Sequence, residues 1–399
     1  MKELFLNLSD LFFKKKGREV FTQRFAQRYI DHVIYNINLD LTNPCQKKAL
    51  MVYDPLIAKD VLATNHAKYY HENQMMHYFV SKGYALDICC YRDEDILKKI
   101  SSRKYDVVIG QGLAFRIVCR QLANDTKKIL FCSENNPLVV LEKYKERLEY
   151  FKERHPNVST SDAEARIGIF TKDDFELSDY IILMSSQYNA LSFREFFDTV
   201  YTINVNAISN MYFSLDKSLP TFGHNKNRFV TFGVTGLIHK GVDILCDAFR
   251  QRPQCQLDLY GVDMNKEYRI LEKIKPTNVA NCGWLIPSTE KFVTEIVEQH
   301  DFVILDSCSE GMASGVATCM MHGLIPIITK ECGFNDIPGI LVLDDFKVET
   351  VAKILDRISS MSEDEVRGLR VLAYQTAQKE FSIEKFTEDF GSVMDRIIS

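Results

Sequence analysis

One turn in the second half of the chain combines a carboxylate with a run of small residues. Glu310 follows the apolar run Phe302–Leu305 and therefore stands where a buried strand would end. The small residues after it open a predicted helix, and the free amides of a helix N-terminus attract anions. Glu310 itself can accept hydrogen bonds from hydroxyl groups, or it can serve only to cap the helix. The candidate binding residues of this turn are Ser309, Glu310, Gly311, Met312, Ala313 and Ser314.

A second segment places a lysine between glycine-containing turns and a helix. Gly233 and Gly236 come at and after the end of the predicted strand 228–233, where a missing side chain lets the backbone approach a ligand. Lys240 then precedes the predicted helix Val242–Arg250. A lysine ammonium beside helix amides suits a diphosphate. The alternative is a solvated lysine in an ordinary strand–loop–helix unit.

Both segments belong to a regular alternation of short apolar runs and amphipathic stretches. This alternation predicts parallel sheets with helices on both faces, and 399 residues are enough for two such domains. Ligands of such domains bind at the carboxyl ends of the strands, in the cleft between the domains. The predicted strands of the first domain are 49–53, 85–91, 106–110, 128–132, 179–184 and 199–205. Those of the second domain are 228–233, 256–261, 279–283, 301–305, 324–329 and 340–343.

The division into domains follows from where this alternation stops and restarts. Residues 45–214 form the predicted first domain, and residues 228–380 form the second. The stretch 215–227 contains proline and glycine without apolar periodicity, which is typical of a linker. Residues 381–399 form a predicted amphipathic helix with Ser382 as its N-cap, and we expect this helix to pack back on the first domain.

The two binding segments together resemble the donor-binding half of the family-4 GT-B glycosyltransferases, which are retaining enzymes. The resemblance covers residues 228–333 and includes the lysine-glycine motif, the Ser-Glu-Gly turn and the His-Gly-Leu-Ile-Pro-Ile run at 322–327. It implies a GT-B fold, with two Rossmann-like, doubly wound parallel-sheet domains and a cleft between them. It also implies that Lys240 binds the donor diphosphate and that Glu310 contacts the donor sugar.

The same resemblance assigns residues to the nucleoside end of the donor. Thr318 stands where the family carries a second glutamate for the ribose, so one charge-assisted hydrogen bond is missing. Gly283, Trp284 and Leu285 fall in the loop that meets the base, and Trp284 either stacks on the base or packs in the core. The family often has an arginine a few residues before the lysine, and this chain has none there.

The acceptor side of the predicted site carries polar residues after the first-domain strands. The first of these strands is followed by histidine and tyrosine where the family has a glycine-rich loop. His66 is the third predicted catalytic residue beside Glu310 and Lys240, and a surface histidine without a role is the alternative. Glu134 has the chemistry of a general base. The predicted acceptor-side residues are His66, Tyr69, Gln111, Glu134 and Asn135.

The resemblance implies a hexosyltransferase that moves a sugar from a nucleoside-diphosphate sugar to a glycan, lipid-linked or protein acceptor in surface polysaccharide or glycoconjugate synthesis. No cofactor is expected, and the eleven cysteines show no pairing typical of a metal site and are expected to be reduced core thiols. The missing second glutamate leaves open a non-catalytic GT-B partner of another transferase, and a nucleotide-sugar epimerase is a third alternative. A net charge of −5 argues against nucleic acid as a partner.

Residues 1–44 look like a separate helical arm with one apolar face. Basic residues cluster between Lys14 and Arg28, so a helix lying on a membrane surface is one alternative. We favour subunit contact in a homo-oligomer, because the arm contributes only modest net positive charge for attachment to a membrane and because Phe21 and Phe25 suit a dimer interface. The apolar stretch precedes the basic cluster, which is the wrong order for a signal peptide. We therefore expect a cytoplasmic protein, with attachment to the inner face of the membrane as the alternative.

Overall fold

Two sheets, parallel except for one edge strand of the first, make up the described part of the chain together with the helices that cover both faces of each. The computed structural model describes residues 33–53, 67–122, 125–163, 165–166, 168–233, 236–261 and 267–399. One sheet has seven strands and the other has six. The predicted fold class, two Rossmann-like domains with a cleft between them, is confirmed.

The first sheet has its parallel strands in the order expected for a doubly wound domain. From one edge to the other, the strand order is β1-β3-β2-β4-β5-β6-β7. The order reverses between β2 and β4, which opens a crevice at their carboxyl ends. The strands are β1 (Val33–Ile37), β2 (Lys48–Tyr53), β3 (Ala85–Cys90), β4 (Val107–Gly110), β5 (Lys127–Cys132), β6 (Tyr180–Met184) and β7 (Val200–Ile203).

Strand β1 corrects the prediction of a helical arm at its C-terminal end. Val33–Ile37 pairs antiparallel with β3, and the Asn36 amide donates a hydrogen bond to Asp87 Oδ1 at 2.8 Å. The apolar spacing of so short a run fits either a helix or a strand, and the open edge of β3 supplies the backbone partners that decide it. Residues 1–32 lie outside the described residues, so their helix and subunit contact remain predictions.

The second sheet has the strand order β10-β9-β8-β11-β12-β13, and all its strands are parallel. Its order reverses between β8 and β11, so the segments that follow these two strands line one crevice. These are the two segments that the sequence marked as binding segments. The strands are β8 (Arg228–Phe232), β9 (Gln256–Tyr260), β10 (Val279–Gly283), β11 (Phe302–Leu305), β12 (Ile325–Thr329) and β13 (Leu341–Leu343).

Helices connect these strands and cover both faces of each sheet. In the first domain they are α1 (Lys68–Ser81), α2 (Ile96–Ile100), α3 (Gly112–Cys119), α4 (Pro137–Arg154), α5 (Lys172–Glu176) and α6 (Gln187–Ala190). After β7 come α7 (Leu215–Ser218), α8 (Val242–Arg250), α9 (Tyr268–Ile274), α10 (Glu290–Phe292), α11 (Ser314–Met321), α12 (Val348–Ser360), α13 (Glu363–Glu380) and α14 (Ile383–Ile398). None of these described helices combines the length and the apolar character needed to cross a membrane.

The last helix, α14, returns from the second domain and packs against α1 of the first. Ser382 caps α14, since its hydroxyl accepts a hydrogen bond from the Lys385 amide at 3.2 Å. The Tyr78 hydroxyl donates to Asp395 Oδ1 at 2.6 Å, and the Phe390 ring packs edge-on against Tyr78. This helix therefore ties the end of the chain to the first sheet.

Helix α4 starts in the first domain but packs against the second. Phe151 is fully buried in an apolar cluster made mainly of second-domain residues. The Arg147 guanidinium donates to Asp306 Oδ1 at 2.8 Å, and both side chains are buried. Nearer the end of the helix, Arg154 pairs with Asp243. These contacts fix α4 to the second domain.

The chain crosses between the sheets directly after β7, earlier than predicted. The Asn210 side chain already donates to the Pro287 carbonyl of the second domain at 2.7 Å. The predicted linker at 215–227 lies on the second domain, where the Gly223 amide donates to Asp301 Oδ1 at 2.9 Å. The proline and glycine of this stretch make turns on the domain surface, which composition alone does not distinguish from a linker.

Candidate active site in the interdomain cleft

A cavity of about 860 Å³ lies between the carboxyl ends of the two sheets and is lined by both domains. Of the predicted residues, Gly236 and Gly283 lie outside its lining, His66 lies outside the described residues, and Tyr69 is in the first turn of α1. Within the described ranges, no group of three or more His, Cys, Asp or Glu side chains is placed to hold a metal ion. The predicted residues that line the cavity are Gln111, Glu134, Asn135, Gly233, Lys240, Trp284, Leu285, Ser309, Glu310, Gly311, Met312, Ala313, Ser314 and Thr318.

The Lys240 ammonium and the Glu310 carboxylate form an ion pair in this cavity. The same carboxylate oxygen accepts a hydrogen bond from the Ser307 hydroxyl at 2.6 Å. The lysine side chain is 5% exposed and the glutamate side chain 12%, so Lys240 is not a solvated lysine. Glu310 does not cap the helix that follows, because α11 has Ala313 at its N-cap and no side-chain cap. The geometry thus contradicts both alternatives left open by the sequence.

The charges around Glu310 keep it ionised despite its burial. Burial raises the pKa of Glu310, but the positive charges of Lys240 and Arg166 outweigh that effect and hold the pKa at about 2. Burial lowers the pKa of Lys240, and the charge of Glu310 counters part of that shift. An ionised carboxylate only accepts hydrogen bonds. Glu310 is therefore suited to orient hydroxyl groups and to hold positive charge, but not to donate a proton.

The N-terminus of α11 adds further positive potential to the same part of the cavity. Ser314 and Gly315 line the cavity, and their amides are among the first of the helix, which have no partner within it. A Cβ atom at Gly315 would come within 2.8 Å of the Phe232 carbonyl oxygen, so glycine permits this close approach to β8. The helix dipole and Lys240 together favour an anionic ligand.

Polar side chains of the first domain hold the Ser-Glu-Gly turn across the cleft. Asn189 Nδ2 donates to the Glu310 carbonyl oxygen at 3.0 Å. Asn135 Nδ2 donates to the Ser309 hydroxyl oxygen at 3.1 Å. Because these bonds join the two domains, the position of the turn depends on how closely the domains approach each other.

Replacing Gly311 with alanine is expected to reduce the free energy of unfolding by about 1–3 kcal/mol, as overpacking does. A Cβ atom there would lie 2.2 Å from the Ser133 carbonyl oxygen of the first domain. Gly368, in the interior of α13, has no atom within 4 Å of the corresponding position and provides the control. Alanine at Gly368 should be neutral or stabilise by up to about 1 kcal/mol. Urea unfolding measures both variants, and equal stabilities would contradict the close interdomain contact.

The first-domain wall of the cavity carries three of the five predicted acceptor-side residues, Gln111, Glu134 and Asn135. Gln111 Oε1 accepts a hydrogen bond from the Ser133 hydroxyl at 3.1 Å. Burial raises the pKa of Glu134, and its Oε2 atom has no hydrogen-bond partner among the described residues. A Cβ atom at Gly168 would fall 1.3 Å from that oxygen, so the carboxyl group fits only beside a glycine. This wall therefore presents polar groups that an acceptor hydroxyl could meet.

The nucleoside end of the predicted site lies beside the loop after β10. Gly283, with φ of 75°, turns the chain towards Trp284, a residue that is 68% exposed. This exposure excludes the alternative of a core indole and leaves a ring face open to a ligand. Thr318 is buried, and its hydroxyl oxygen accepts a hydrogen bond from the Ile208 amide at 3.2 Å. The Thr318 hydroxyl hydrogen remains available to donate.

Arg166 and His239 are polar residues that line the cavity and were not predicted from the sequence. Arg166, on the stretch between α4 and α5, lines the cavity and packs against Gly236 of the second domain. His239 is buried, and its Nε2 donates to the Ser309 carbonyl oxygen at 2.7 Å. The position of His239 beside Lys240 was a usable signal. No signal in the sequence pointed to Arg166, because the segment between α4 and α5 carries no motif.

Replacing His239 with glutamine is expected to make stability less sensitive to pH between about 5 and 6.5. Burial lowers the pKa of His239 to about 4, so the folded state keeps it neutral while the unfolded state takes up a proton below about 6.5. The free energy of unfolding therefore falls by up to about 1.4 kcal/mol per pH unit as the pH falls through this window. Glutamine keeps a donor for the Ser309 carbonyl without titrating. Urea unfolding across the window gives the slope, and an unchanged slope would contradict this account.

Comparison with known proteins gives structural neighbours only. No model of a known protein family and no curated protein matches the sequence. HepE of Anabaena, solved with UDP and glucose, superimposes with a TM-score of 0.57 at 12% identity over 88% of this chain and 99% of its own. Sucrose-phosphate synthase of Thermosynechococcus elongatus superimposes with a TM-score of 0.59 at 15% identity, again over 88% of this chain and 99% of its own.

A third neighbour is a longer protein. The pneumococcal O-GlcNAc transferase GtfA, solved with UDP and GlcNAc, has a TM-score of 0.50 and 16% identity, and the match covers 76% of this chain and 59% of GtfA. At identities this low, the similarity shows a shared fold. The chain has the two-domain GT-B architecture.

Proposed function

We propose that this chain is a glycosyltransferase that moves a sugar from a nucleoside-diphosphate sugar to a hydroxyl group of a glycan, a lipid-linked acceptor or a protein. The observation that carries the proposal is the buried pair of Lys240 and Glu310 beside the N-terminus of α11, in a cleft shared by both domains. The cation and the helix dipole suit a diphosphate, and the carboxylate suits sugar hydroxyls. HepE and GtfA were solved with UDP, which makes UDP sugars the first donors to test.

The proposed reaction retains the configuration of the sugar. The bond between the anomeric carbon and the diphosphate oxygen breaks, and a bond from that carbon to the acceptor oxygen forms on the same face. The acceptor hydroxyl proton passes to an oxygen of the departing diphosphate, so no enzymic nucleophile is needed. Lys240 and the first amides of α11 stabilise the negative charge on the leaving group, a large contribution in many enzymes. Glu310 orients the sugar.

The remaining residues of the cavity fit the two ends of this reaction. Trp284 offers an exposed ring face to the base, and Thr318 offers a hydroxyl donor to the ribose. Gln111 and Glu134 line the opposite wall, and we expect them to face the acceptor. We propose that the transferred sugar is a hexosyl group and that the reaction belongs to surface polysaccharide or glycoconjugate synthesis.

A donor screen with product analysis tests the proposal. Thermal stability is measured with UDP, GDP, ADP and CDP and with their common sugar derivatives, and a ligand at 100 times its Kd should stabilise by about 2.7 kcal/mol. The best donor is then incubated with and without acceptor sugars, and products are resolved by mass and anomeric configuration. A protein that none of these nucleotides stabilises would contradict the proposal. Binding without any turnover would favour the non-catalytic alternative, and an altered free donor sugar would favour an epimerase.

A further inference from the structure

The described residues from His155 to Ile169, which we call the strap, connect α4 to the rest of the first domain across the side of the cleft. Most of the strap packs on the second domain, where Val158 and Ala165 contact the same apolar cluster as α4. Its last residue returns to the first domain, because the Ile169 carbonyl accepts a hydrogen bond from Arg116 at 3.1 Å. The strap therefore spans both domains beside the cavity.

Arg166 is the cationic side chain that the strap presents to the cavity. A Cβ atom at Gly236 would lie 3.2 Å from Arg166 Cδ, which places the arginine over the glycine turn that leads to Lys240. Arg166 is exposed, and it forms no ion pair with any described residue. Gly236 thus leaves room for a side chain that comes from the other domain.

Of the two cations at this place, Lys240 is held in an ion pair and Arg166 has no ion-pair partner among the described residues. The charge of Lys240 is compensated by Glu310, to which it is paired. The charge of Arg166 acts on Glu310 and Glu134 through space and favours their ionised forms. Neither carboxylate forms a salt bridge with Arg166, so its guanidinium donors remain available to an anion that enters the cavity.

We propose that Arg166 binds the diphosphate of the donor, so that the first domain supplies a cation to a nucleotide held by the second. The inference rests on the proposed function and deepens it, since it assigns part of the diphosphate recognition to the strap. A planar guanidinium gives paired hydrogen bonds to phosphate oxygens that a lysine cannot match.

Calorimetric titration with UDP and UMP tests this assignment. If the donor screen selects another base, the diphosphate and monophosphate of that nucleoside are used instead. Arg166→Ala should weaken UDP binding about tenfold, which corresponds to about 1.4 kcal/mol, and change UMP binding much less. Arg166→Lys should fall between the wild type and Arg166→Ala. Arg194→Ala, which removes another exposed first-domain arginine without an ion pair among the described residues, should bind both nucleotides as the wild type does.

The outcomes separate this inference from the proposed function. Equal UDP affinity of the wild type and Arg166→Ala would overturn the inference and leave the proposed function standing. Equal losses for UDP and UMP in Arg166→Ala would also overturn it, because Arg166 would then act on the general shape of the cleft. A wild type that binds no nucleoside diphosphate would overturn both.

Discussion

Replacing Glu310 with glutamine is expected to lower the rate of sugar transfer by at least about 100-fold, as the loss of a single preorganised electrostatic contact does in other enzymes. Glutamine keeps the shape of the side chain and can still accept the Ser307 hydrogen bond. It removes the negative charge that holds Lys240 in place at the cavity wall. The donor sugar then loses its charged hydrogen-bond acceptor, and the lysine loses its fixed position. Initial rates with the best donor, at saturating donor and acceptor, measure the effect.

Two further variants show whether the loss comes from the charge in the cleft. Ser307→Ala removes one hydrogen bond to the same carboxylate but leaves the ion pair, so its rate should stay within about tenfold of the wild type. Glu331→Gln removes a carboxylate on the neighbouring loop that does not line the cavity, and its rate should be unchanged. Turnover of Glu310→Gln within a few-fold of the wild type would contradict the role assigned to this residue.

Replacing Lys240 with methionine is expected to weaken nucleoside-diphosphate binding by about 10- to 100-fold, because a charge-assisted contact to phosphate is lost. The same change should lower the free energy of unfolding by about 3–5 kcal/mol, since it leaves the Glu310 carboxylate buried without its partner. Methionine keeps the apolar stem of the lysine, so lost packing contributes little. Calorimetry gives the affinity, and urea unfolding gives the stability.

The double variant Lys240→Met/Glu310→Gln separates the two effects of the lysine. Neutralising the orphaned carboxylate should restore most of the stability, while nucleotide affinity should remain as weak as in Lys240→Met. A double variant that is as unstable as the single one would show that the two side chains are not coupled. If Lys240→Met bound nucleotides as tightly as the wild type does, the assignment of the diphosphate to this part of the cleft would be wrong.

The strands were predictable because parallel strands buried on both faces are continuous apolar runs. The expected strand at 301–305 is Phe302–Leu305, and the expected strand at 256–261 is Gln256–Tyr260. The errors lie where tertiary contacts decide the local structure. Val33–Ile37 is a strand because the edge of β3 is open to it, and 215–227 is packed because the Asp301 carboxylate holds its backbone.

The residues of the site that belong to local sequence motifs could be predicted from the sequence. Lys240 and Glu310 each stand after a strand at the reversal of the strand order, and this topology alone brings them to one crevice. Their direct pairing depends on how the side chains pack, and it cannot be predicted from their spacing along the chain. Arg166 could not be found, because only the docking of α4 on the second domain brings its stretch to the cleft. His66 lies outside the described residues and stays a prediction.

Helix α4 also has a consequence for the order in which the chain folds during synthesis. Phe151 leaves the ribosome long before Leu355, which belongs to the same apolar cluster. At about 5–20 residues per second, the interval between them is on the order of ten seconds or more. Until then the second-domain part of this cluster, which begins with Phe229, is incomplete, so the apolar face of α4 is only partly covered. The nascent first half of this protein therefore exposes an apolar helix face, which we expect chaperones to shield until the second domain is complete.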